Sequence, residues 1–129
     1  MKGNEMRTPM SRVRGLGAAH TGTQAFWHQR ITSVAGIPLG IALIVIVIAL
    51  LGHSHAAVVQ VLGSPIVAII MLLFIINIVY HMWIGMQEII VDYVHDDNLK
   101  LFTLLGNTFF CFALGFASAF AILKLSFGV

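Results

Sequence analysis

The chain has 129 residues, of which 59% are hydrophobic and only 9% charged, with a mean hydropathy of +0.97 and a formal net charge of +2. A soluble domain is roughly 25% charged, so this composition excludes an ordinary soluble surface and points to one membrane domain. The small net charge gives no case for nucleic acid, and the single cysteine, Cys111, excludes an internal disulfide.

Residues 1–30 read as a polar arm. Five of the seven basic residues lie in it: Lys2, Arg7, Arg12, Arg14 and Arg30. No apolar core of a signal peptide is present there. Its Arg-rich start also suits a mitochondrial presequence, a weaker reading because Gly15, Gly17 and Gly22 interrupt an amphipathic helix. Trp27 suits the headgroup level. Arg30 directly precedes an apolar run, either as a snorkelling anchor or as the partner of an anionic group.

The remainder, 31–129, reads as an all-α membrane domain of three transmembrane helices, spanning about 31–51, 66–91 and 101–127. The first span holds 21 residues, ~31 Å of helix and close to the thickness of the hydrocarbon core. Gly36, Pro38 and Gly40 fall in its first half, where they allow a close helix neighbour or a bend. Residues 52–64 read as a loop. His53 and His55 within it resemble a metal pair, but no third ligand is near and a solvated loop is the plainer reading. Pro65 suits the first position of a helix. Asp96, Asp97 or Asn98 is available to cap the third helix. Cys111, Gly115 and Ala119 form a smooth stripe for close packing in lipid, with Cys111 a small packing residue rather than a reactive thiol.

The N-terminal arm and the 92–100 loop, with Lys100, share one side of a three-span chain. The positive-inside rule makes that side cytoplasmic. Asp92 and Tyr93 then face the cytoplasm.

The second span carries the chemistry. At ~100° per residue, Gly85, Glu88 and Asp92 all fall within ~40° of His81, and Asn77 lies ~40° away. Such a polar stripe must face protein, a cofactor or water rather than lipid. His81 lies ~16 Å along the axis from Asp92, near the bilayer midplane. An imidazole there is either a hydrogen-bonded core residue or a haem ligand, and Gly85 one turn on leaves room for a flat macrocycle. His28, His53, His55 and His95 all fall outside the spans, so a second haem ligand at this depth has to come from another protein. Asp92-Tyr93 is either a helix-end anchor or a quinone site, the phenol donating to a carbonyl and the aspartate helping to deliver protons.

The block His81-x-x-x-Gly85-Met86 followed by Asp92-Tyr93-Val94, with Arg30 and Thr32 before the first span, resembles the hydrophobic membrane-anchor subunit (D subunit) of bacterial succinate dehydrogenase. The resemblance covers roughly residues 22–125. It implies two three-helix anchor subunits holding one haem b, docked on a flavoprotein and an iron–sulfur subunit at the cytoplasmic face. It further implies His81 as one axial haem ligand, Arg30 as the partner of a haem propionate, Tyr93 as a hydrogen-bond donor to ubiquinone and Asp92 as support for that site. The second axial ligand would come from the partner anchor subunit of cytochrome b type. The chain alone would not catalyse, and succinate would be oxidised elsewhere in the complex. The implied location is the bacterial inner membrane with a cytoplasmic N-terminus, the mitochondrial inner membrane being less favoured. Two other functions fit the residues. One is a small proton-channel or transporter component using the stripe His81–Glu88–Asp92; the other is a structural anchor without haem.

Overall fold

The computed structural model describes Met10 and residues 20–128. The basic residues Lys2, Arg7, Arg12 and Arg14, together with Gly15 and Gly17, lie outside the described residues. Among the described residues, four helices follow in order: α1 (His20–Leu50), α2 (His55–Leu62), α3 (Pro65–Tyr93) and α4 (Asp97–Phe127). Three of them, α1, α3 and α4, are long and apolar enough to cross a membrane. The expected all-α architecture with three spans is therefore observed.

Chain chemistry sets the boundaries. Gly52 takes a positive φ of 78°, a left-handed conformation that costs glycine little, just after α1 ends. Ser54 then caps α2 by accepting from Ala57 N at 3.4 Å. Ser64 and Pro65 open α3, with the proline in the first turn where its missing N–H is no loss. Asp96 caps α4 by accepting from Leu99 N at 2.8 Å, and Gly128 closes it in the left-handed region.

Two expectations need correction. Residues 52–64 are not simply a loop, because 55–62 form α2. It is two turns long, too short to leave a periodic signature in sequence. The first helix also begins at His20, so the last eleven residues of the expected arm are continuous with the first span. Polar residues such as Gln24, Gln29 and Arg30 hide this extension from a hydropathy reading, although none of them breaks a helix.

α3 is the central element. It packs against α1 on one side and α4 on the other, whereas α1 and α4 meet at most marginally; α2 rests on α3 and α4. Buried residues are few among the described residues: Thr32, Ala68, Ile84, Ile90, Cys111 and Ile122. Most large apolar side chains point outward, as expected where lipid and neighbouring subunits replace water.

Candidate functional site in the α1–α3 seam

Gln29, Thr32, Asn77 and His81 gather where α1 crosses α3. Two close approaches define the seam. A Cβ at Gly36 would stand 3.3 Å from Asn77 Nδ2, and one at Gly85 would stand 3.3 Å from Gln29 Nε2. Each glycine thus admits a polar side chain from the opposite helix. Gly36 fulfils the expected role of admitting a neighbour, whereas Gly40 has nothing within 4 Å. The space over Gly85, expected to suit a flat macrocycle, is taken by the Gln29 amide.

His81 sits at the centre of this seam. Its Nδ1 is 2.9 Å from Thr32 Oγ1, and its Nε2 is 3.5 Å from Gln29 Nε2. Thr32 Oγ1 also lies 2.7 Å from the His28 carbonyl oxygen and 3.1 Å from that of Gln29. A threonine hydroxyl has one proton. Two oxygens 2.7 Å apart without a proton between them would repel, so that proton goes to the carbonyl. Thr32 Oγ1 then accepts from His81 Nδ1–H, and His81 Nε2 carries a bare lone pair. Asn77 adds a donor, giving its amide proton to the Thr32 carbonyl oxygen at 3.0 Å.

Around this centre lies an aromatic group that the sequence did not mark. The Tyr80 hydroxyl is 2.8 Å from His28 Nδ1, with ring centroids 5.8 Å apart, and Tyr80 leans on Trp83 at 5.7 Å. His28 thus lies inside α1 rather than before the first span, as expected from its polar surroundings, and its Nδ1 is engaged by Tyr80. Gln29 was also missed. Their shared signal is position: 28, 29 and 32 lie on one face of a helix once its start is moved back to residue 20.

Arg30 is exposed and stacks over the Phe26 ring, 4.4 Å from its centroid. It lies two residues before Thr32, ~3 Å along the axis. That puts it near the level of His81, well below the level of Tyr93, which is ~18 Å further along α3. Trp27 lies ~8 Å along the axis from the level of Thr32 and is exposed.

Asp92 and Tyr93 close α3, both exposed, with Tyr93 at 77%. Glu88 is exposed as well. The helical stripe therefore gives direction without continuity: the hydrogen bonds of His81 go to α1, and among the described residues none joins it to Glu88. His53 and His55 are exposed, and among the described residues no group of three or more His, Cys, Asp or Glu gathers as a metal site.

The opposite side of α3 is built for packing. Trp83 Nε1 donates to Thr108 Oγ1 at 3.1 Å, and Asn107 Nδ2 donates to the Trp83 carbonyl oxygen at 3.1 Å. Cys111 is buried and donates to Asn107 Oδ1 at 3.4 Å. A Cβ at Gly115 would meet Val79 Cγ1 at 3.4 Å. An apolar groove of about 420 Å³ runs along this contact, lined by residues including Val79, Trp83, Gly115 and Phe116.

Comparison with known proteins agrees with this architecture. Residues 4–115 match the family described as succinate dehydrogenase/fumarate reductase transmembrane subunit. The chain is similar to the succinate dehydrogenase hydrophobic membrane anchor subunit of Paracoccus denitrificans. The two are 29% identical over 121 residues, covering 94% of this chain and 93% of that one. It is also similar to the subunit of the same description from Rickettsia bellii (strain RML369-C), at 26% identity over 96 residues, 74% of this chain and 77% of that one. No solved structure matches the chain. With three membrane-crossing helices and a family match over most of its length, the chain belongs to the succinate dehydrogenase/fumarate reductase transmembrane subunits and is a multi-pass membrane anchor of that family.

Proposed function

We propose that this chain is one of two anchor subunits that together hold haem b and build the ubiquinone-reduction site of a succinate:quinone oxidoreductase. The observation that carries this reading is the hydrogen-bond chain from His81 Nδ1 to Thr32 Oγ1 and on to the His28 carbonyl oxygen. A haem-ligating imidazole needs one nitrogen fixed by an acceptor and the other free of its proton. His81 has both, near the middle of the central membrane helix.

Arg30 supports the same reading. A guanidinium near the level of His81 is costly in hydrocarbon unless an anion accompanies it, and a haem propionate is such an anion. The second axial ligand is assigned to the partner anchor subunit, as the resemblance of the His81 block implies. When bound, haem supplies a one-electron carrier beside the quinone site.

At the end of α3, the exposed Tyr93 phenol donates a hydrogen bond to a quinone carbonyl. Asp92 beside it takes protons from cytoplasmic water. Quinone reduction consumes two electrons and two protons, so its site has to lie where a donor meets water. Succinate is oxidised on the flavoprotein subunit, and electrons arrive through the iron–sulfur subunit. Both dock on the cytoplasmic face, which the basic residues Lys2, Arg7, Arg12, Arg14 and Lys100 favour by the positive-inside rule. The membrane is the bacterial inner membrane.

The test is a reduced-minus-oxidised spectrum of the purified complex. His81→Ala is expected to remove the b-type signal while the four subunits still co-purify. An unchanged spectrum in that variant rejects the ligand assignment.

A further inference from the structure

Gln29 faces the free nitrogen of His81 and has no part in the function above. Its Nε2 lies 3.5 Å from His81 Nε2. Its Oε1 is buried and, among the described residues, has no hydrogen-bond partner. Because Thr32 fixes the ring proton on Nδ1, the Gln29 amide is the donor and the His81 lone pair the acceptor. The separation is at the outer limit for such a bond. Gly85 is what admits the amide, since a Cβ there would stand 3.3 Å from Gln29 Nε2. An amide with one long bond and an orphaned buried oxygen is weakly held, and rotation away from His81 lets that oxygen seek a donor.

We propose that Gln29 governs how readily His81 gives Nε2 to an iron, because amide and iron compete for one lone pair. The proposal rests on His81 being a haem ligand. Gln29 is a positioning residue: it acts through His81 and touches neither quinone nor succinate. Thr32 still accepts from Nδ1–H when the amide is gone, so the ring proton stays in place and only the competitor is removed. The long bond suits this task, since a short one would oppose haem loading.

The experiment uses the full complex prepared from haem-limited cells, with hemin partitioned between it and apomyoglobin. Gln29→Leu keeps similar bulk without the amide. It is expected to move the partition toward the complex by roughly two- to threefold, the low end of the worth of one hydrogen bond, as suits its length. Nitrogen-15 shifts of His81, recorded before hemin is added, are expected to keep the Nδ1–H pattern. Gln29→Met, a second substitution of similar length without a donor, is expected to act in the same direction. It too offers nothing to the lone pair, so hemin binding strengthens while the shifts keep the Nδ1–H pattern. A gain in hemin binding cannot arise from misfolding, which lowers it. A partition that depends on His81 but is the same in wild type and both Gln29 variants overturns this proposal alone. A partition that ignores His81→Ala overturns the ligand reading and, with it, the proposal.

Discussion

Replacing Thr32 by valine isolates the hydrogen bond on which the haem reading depends. Thr32 is 8% exposed, and its Oγ1 stands 2.9 Å from His81 Nδ1. Valine keeps the β-branched shape and exchanges the hydroxyl for a methyl. The His28 carbonyl retains its helical partner, so the main loss is the acceptor for His81 Nδ1–H. A buried N–H left without a partner costs about 1–3 kcal/mol. Interhelical hydrogen bonds in membranes average about 0.6 and reach about 1.7 kcal/mol. A range of about 1–1.7 kcal/mol satisfies both, which is about 5- to 18-fold in an equilibrium constant. Haem affinity is expected to fall by that factor, read as occupancy of the purified complex. The midpoint potential is expected to rise, because an imidazole without its acceptor is less basic and stabilises ferric iron less. Thr32→Ser, which keeps the hydroxyl, is expected to restore both. An assembled Thr32→Val complex with wild-type occupancy and midpoint refutes the reasoning.

Other outcomes follow from other parts of the molecule. Tyr93→Phe is expected to impair quinone reduction while succinate oxidation by an artificial acceptor continues; equal loss of both activities points to failed assembly. Gly63→Ala places a Cβ 2.7 Å from the Leu125 carbonyl oxygen and 3.0 Å from that of Val59. Backbone atoms cannot step aside, so a destabilisation of about 1–3 kcal/mol is expected in detergent thermal unfolding. Gly106→Ala has nothing within 4 Å of the new Cβ, and its stability is expected to match wild type or exceed it by up to ~1 kcal/mol through helix propensity. Trp83→Phe removes the donor to Thr108, and a loss of about 0.6–1.7 kcal/mol is expected by the same unfolding assay.

The three spans, the inward histidine and the Asp92-Tyr93 end were legible because each rests on local information: apolar run length, residue type and helical angle. The start of α1 was not, because residues 20–30 are helical without being apolar. That single displacement hid His28 and Gln29, whose significance lies in their register against Tyr80, His81 and Gly85 more than 50 positions later. Sequence periodicity gives the direction of a side chain but not the identity of what lies opposite. Glu88 makes the same point in reverse: its angle matches His81, yet it is exposed. The α2 helix escaped notice for want of length, and Trp83 for want of a visible partner until Thr108 came alongside it.

α3 carries most of the packing between α1 and α4, and Tyr80 links the two seams, bonded to His28 on one side and leaning on Trp83 on the other. Damage at Trp83 should therefore reach His28 through this ring, while the Thr32–His81 hydrogen bond lies one step further off. The costs of Tyr80 and Trp83 substitutions should depart from additivity, as they do for residues in contact. A single aromatic ring thus gives the packing seam a lever on the polar one.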